Sequence, residues 1–117
     1  MRDFKRLHVW QRSHRLAIDL HGEADTFKGR HRFGLADQLT RAAESIPANI
    51  AEGAGRESVK EFRRFLTIAI GSGAELENHL ILARALGQVD ETAANRHLAE
   101  VSDIMRMLSG LRRRVRS

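Results

Sequence analysis

Apolar residues recur three and four positions apart along almost the whole chain, the period of a helix with one buried face and not of a strand. In the first segment the spacing places Trp10, His14, Ala17, His21, Ala24 and Phe27 on one stripe, with Leu16 and Leu20 widening it. In the second, Leu35, Leu39, Ala42, Ile46, Ile50 and Gly53 repeat the pattern. The third carries Phe62, Leu66, Ala69, Gly73, Leu76, Leu80 and Ala83 in alternating steps of four and three, with Phe65 alongside. The fourth, from about Glu91 to Arg114, aligns Ala94, Leu98, Val101, Met105, Leu108 and Val115, flanked by Ile104 and Leu111.

Breaks fall at FKGRHRFG (27–34), GAGRES (53–58) and LGQVDE (86–91). Ser58 followed by Glu61 has the form of a capping box opening the third helix, and Gly87 marks its end. Four amphipathic helices of roughly 18–28 residues on short connections predict an all-α fold, an antiparallel up-down-up-down four-helix bundle. Residues 1–117 are expected to form one domain around one core, long enough to need no disulfide or structural metal.

The one proline lies inside the second helix, in SIPANIAEGAGR (45–56). It cannot donate to the Ala43 carbonyl, so a kink is expected there, with Ser45 or a water helping to satisfy that oxygen. Gln38, Arg41, Ser45, Asn49, Glu52 and Arg56 occupy successive turns of the same helix beside its apolar stripe. Such a seam is either a solvated flank, with Glu52 and Arg56 paired at i, i+4, or a subunit interface in which Asn49 and Glu52 must find partners.

Charge adds a direction. Net charge is +5 and lysine occurs only at positions 5, 28 and 60, so arginine carries most of it. Its planar fork suits phosphate and carboxylate, although a basic balance is also common in plain globular domains. Tyrosine is absent and other aromatics are few, which disfavours a stacking platform for single-stranded bases. The absence of cysteine rules out disulfides and thiolate chemistry and fits a reducing cytoplasm. The first twenty residues hold no continuous apolar segment of a secretion signal, and no run of about 18 apolar residues exists to span a membrane.

Catalytic constellations are missing. The Glu-x-x-His pairs of metal-binding bundles do not occur. His14 and His21 lie on the apolar stripe as core or boundary residues. No serine sits on a nucleophile-elbow motif, and GAGRES lacks the lysine and length of a phosphate-cradling loop. No catalytic residue, cofactor or metal is therefore expected. Basic residues instead gather at Arg112, Arg113, Arg114 and Arg116, and at Arg2, Lys5, Arg6, Arg12 and Arg15. An up-down bundle brings those two groups to one end and sends Lys28, Arg30 and Arg32 to the other. At a helix C-terminus such cations also complement the macrodipole.

The stretch FGLADQLTRAAESIPANIAEGAGRESVKEFRRFLTIAIGSGAELENHL, preceded by LHVWQRSHRLAIDL, resembles the four-helix bundle proteins encoded in intervening sequences of bacterial 23S rRNA genes. SIPANIAEG, EFRRFL and GSGAELE at this spacing carry the likeness, which covers the chain to about Gly87 and continues loosely beyond. The resemblance implies a ring-shaped homopentamer, and kinship with the accessory protein of diversity-generating retroelements, which binds a reverse transcriptase and nucleic acid. No catalytic residues are implied. The matching Arg41, Ser45, Asn49, Glu52 and Arg56 are implied to be structural, while Gly73 departs from the bulkier residue usual in the family.

Two functions fit these observations. One is a non-enzymatic oligomeric accessory factor that contacts the phosphates of RNA or DNA through Arg2, Lys5, Arg6, Arg12, Arg112, Arg113, Arg114 and Arg116. The other is an oligomeric scaffold whose basic surface engages an acidic protein partner, a reverse transcriptase among the candidates.

Overall fold

The computed structural model describes residues 2–116. Its helices are α1 (His8–Ala24), α2 (Gly34–Ala54), α3 (Val59–Ala85) and α4 (Glu91–Arg114), with short 3-10 turns at Phe4–Arg6 and Gly29–Arg32. Successive helices are antiparallel. Gly53 abuts Phe65 while Ser45 bonds Ser72, so α2 and α3 run opposite. Arg63 meets Arg112 and Arg84 meets Asn95, which does the same for α3 and α4. The rod measures 49 × 22 × 20 Å.

Local chemistry sets the helix ends. Ser58 Oγ accepts the Glu61 amide at 3.1 Å, but the Glu61 carboxylate takes Arg64 instead of closing the capping box. Asp90 caps α4 through the Ala93 amide. At the end of α3, Gly87 adopts φ +71°, and the amides of Gly87 and Gln88 return to the carbonyls of Arg84 and Ala83. This six-residue closure needs a left-handed residue, which glycine supplies without a Cβ clash. Pro47 is buried within α2, and the Asn49 amide group donates to the Ser45 carbonyl at 2.8 Å. Ser45 Oγ is turned to Ser72 at 2.7 Å, away from the part expected of it beside Ala43.

The core face of α1 is turned by about one position from the predicted stripe. Val9, Ser13, Leu16, Ala17, Leu20 and Ala24 are buried, Trp10 is half-buried, and His14 and His21 are exposed. The reason is energetic: a buried leucine contributes about 1.5–3 kcal/mol, whereas a buried imidazole must find polar partners. His14 stacks on Trp10 at 4.7 Å and His21 pairs with Glu44. A similar turn in α4 buries His97 and Ile104 and leaves Leu98 and Met105 half-buried. His97 can enter because Glu23 of α1 bonds it at 2.8 Å.

Two glycines show how closely the helices approach. A Cβ on Gly53 would lie 2.7 Å from the Phe65 Cβ and 3.0 Å from Phe62, so only glycine lets α2 and α3 meet there. At Gly73, the position that departs from the family pattern, the Met105 side chain of α4 occupies the space, with Cγ 2.8 Å from a would-be Cβ. Methionine is suited to such gaps by its flexible, unbranched chain.

Candidate nucleic-acid interface

Antiparallel order carries the start of the chain, the α2–α3 turn and the end of α4 to one end of the rod. The amide of Arg2 bonds the Ala54 carbonyl at 2.9 Å, and its guanidinium lies 4.6 Å from the centre of the Phe62 ring. Arg63 Nε donates to the Arg112 carbonyl at 3.1 Å, while the Arg112 guanidinium reaches Thr67 at 3.2 Å. Arg113, Arg114 and Arg116 are exposed beside them. Arg6 and Arg114 line one groove, together with Arg106.

The eight predicted phosphate contacts do not form one set. Arg6, Arg112, Arg113, Arg114 and Arg116 cluster at this end, with Arg2 on its α2–α3 side. Lys5 sits 3.8 Å from Asp3, a weak exposed pair. Arg12 stands apart: its Nε bonds Glu100 at 2.9 Å and its Nη2 reaches Asp103 at 3.3 Å. These carboxylates, Glu100 foremost, push the Arg12 pKa above its already high ordinary value, so its donors are committed to α4.

Sequence reasoning omitted Lys60, Arg63 and Arg64 from this end. The signal was available, since the topology that joins the two termini also brings the turn at 55–58 to them. Arg64 is itself tied to Glu61, whose carboxyl is held below its ordinary range by that hydrogen bond. At the opposite end, exposed Lys28, Arg30 and Arg32 are interspersed with Asp25, Asp37, Asp90 and Glu91. Positive charge there is diluted; at the first end it accumulates.

The polar seam of α2 finds its partners inside the protomer. Arg41 pairs with Asp37 at 2.9 Å and Glu52 with Arg56 at 3.0 Å. Asn49 donates to both the carbonyl and the hydroxyl of Ser45, and Arg56 covers the Phe65 ring at 5.2 Å. An unpartnered apolar surface lies on the other flank of α2, where Phe4, Trp10, Ile18, Pro47, Ala48 and Ala51 line a groove of about 460 Å³. Ile18, within it, is 59% exposed. No helix is long and apolar enough to cross a membrane among the described residues, and none of their His, Asp and Glu side chains group to hold a metal ion.

Comparison with known proteins fits this architecture. A crystallised protein of unknown function from the S23 ribosomal protein family of Bacteroides thetaiotaomicron superposes with a TM-score of 0.84, covering 90% of this chain and 95% of its own at 22% identity. At that identity the likeness establishes the fold. No curated protein matches the chain. Residues 5–110 match the family described as 23S rRNA-intervening sequence protein, nearly the full length of the helical bundle, and the chain belongs to that family.

Proposed function

We propose that the chain is a non-enzymatic, oligomeric accessory factor that binds structured RNA through phosphate contacts at the basic end. The observation that carries this reading is the convergence there of Arg6, Arg112, Arg113, Arg114 and Arg116, none paired with a carboxylate among the described residues. Unpaired arginines on a rigid bundle end read backbone charge and shape, not base sequence. Repetition of the end around a homo-oligomer, a pentamer as in the family resemblance, multiplies the phosphates neutralised at once. The exposed apolar groove around Ile18 supports self-association.

The test is binding of a labelled structured RNA across a salt series, with Arg112, Arg113, Arg114 and Arg116 changed together to Gln in a parallel variant. The expected result is affinity that falls steeply with salt in the wild type, with a shallower slope in the variant, since removing one arginine from a phosphate lowers the slope by about one. Identical curves would move the site away from the end of α4. No binding at low salt would leave the end to an acidic protein partner.

A further inference from the structure

Between the chain start and the last turns of α4 lies a groove of about 320 Å³, lined by Arg6, Leu7, Val9, Met107, Leu111 and Arg114, with Gly110 on its floor. Its lower wall is apolar: Val9 is buried, and Leu7, Met107 and Leu111 are half-buried against the core. Its rim is cationic. A Cβ on Gly110 would lie 3.0 Å from Arg114 Nη1, so the missing side chain is what lets that guanidinium fold back over the helix backbone. Met107 is held from the other side, its sulfur 3.4 Å from Arg12 Nη1. Arg106 is anchored to Asp103 and Ser102, whereas Arg6 and Arg114 have no carboxylate partner among the described residues.

We infer that this groove holds one unpaired nucleotide of the bound RNA, with its phosphate between Arg6 and Arg114 and its base on Leu7, Met107 and Leu111. The inference rests on the RNA-binding reading above and adds a specificity to it: unpaired over fully paired RNA. Three features favour this occupant. The volume lies at the small end of ligand pockets, too small for a helix and sufficient for one extruded residue. An apolar wall beside a phosphate-binding fork matches the two halves of a nucleotide. Arg114 reaches back over the helix at this groove, its Nη1 3.0 Å from where a Gly110 Cβ would sit, and arginine guanidinium groups are among the surfaces on which splayed-out RNA bases are held, even in a chain with few aromatics.

The experiment compares a short, fully paired RNA duplex with the same duplex carrying a single bulged adenosine, at fixed salt. Wild-type protein is expected to bind the bulged RNA about fivefold more tightly, the low end of what a stacked base contributes. Gly110→Leu, which fills the groove and displaces Arg114 but keeps every arginine charge, should bring that ratio close to one, with affinity for the bulged RNA falling much further than affinity for the paired duplex. Arg6→Gln combined with Arg114→Gln, both exposed and outside the apolar core, should weaken binding of both RNAs and also collapse the ratio, so the outcome does not hinge on one variant folding. Equal, salt-steep binding of both RNAs by the wild type would overturn the groove assignment and leave the phosphate-reading function standing. A bulge preference kept in both variants would place the unpaired base elsewhere and overturn it too. Failure to bind either RNA would overturn both readings together.

Discussion

Alanine at Gly53 and alanine at Gly71 are the same chemical change within neighbouring helices, and the packing gives them opposite signs. A helix-interior glycine costs about 1 kcal/mol relative to alanine, so either substitution begins with that gain. Gly71 is exposed with nothing within 4 Å of a new Cβ, and the full gain of about 0.5–1 kcal/mol should be realised. At Gly53 the new methyl group meets the Phe65 Cβ at 2.7 Å and the Phe62 carbonyl at 3.3 Å. Neither atom can swing away, because one is attached directly to the α3 backbone and the other belongs to it. Helices α2 and α3 must separate, and overpacking of this kind costs about 1–3 kcal/mol. After subtraction of the propensity gain, Gly53→Ala should be destabilised by about 1 kcal/mol, a gap of about 2 kcal/mol from Gly71→Ala. Gly73→Ala should fall between them, since the atoms it meets belong to the flexible Met105 chain. Urea unfolding at one protein concentration, which holds any assembly contribution constant, measures all three. A Gly53→Ala protein as stable as Gly71→Ala would refute the argument that close approach of α2 and α3 selects glycine at this position.

Arg12→Gln should lower stability by about 1 kcal/mol by leaving Glu100 and Asp103 side by side, yet change RNA affinity little; a loss comparable to that of the four-arginine variant would return Arg12 to the binding surface. The hydrogen bond from Arg64 holds the folded-state pKa of Glu61 below its ordinary value near 4.5. Its stabilising contribution is therefore present above that value and lost as pH falls through the depressed one. The urea midpoints of wild type and Glu61→Gln should differ at neutral pH and converge in strong acid, and a constant difference would contradict the linkage. Ile18→Glu places a charge in the apolar groove of α1 and α2 and should reduce the mass of the proposed oligomer in sedimentation velocity; an unaltered mass at low micromolar concentration would exclude the groove from the proposed subunit contact.

Helical periodicity, the Gly and Ser punctuation and the short connections were enough to determine four helices, their approximate ends and their antiparallel order, because each depends on neighbours a few residues apart. The capping Ser58, the terminating Gly87 and the core of α3 are local in this sense. The rotation of α1 and α4 is not. Trp10, His14 and His21 have the same spacing as Val9, Ser13 and Leu20, and only the presence or absence of a partner on another helix decides which set turns inward. His97 is buried because Glu23 waits on α1, and His14 is exposed because Trp10 offers it a stacking face at the surface. Charge followed the same division. The sequence located the basic clusters, and topology joined two of them at one end. The tertiary structure alone separated Arg12, engaged by carboxylates 88 and 91 positions away, from the arginines without a carboxylate partner among the described residues, and laid Arg114 across the bare backbone of Gly110. Which cations can meet a ligand is settled by contacts between helices, and those distances are not written in the spacing along any one of them.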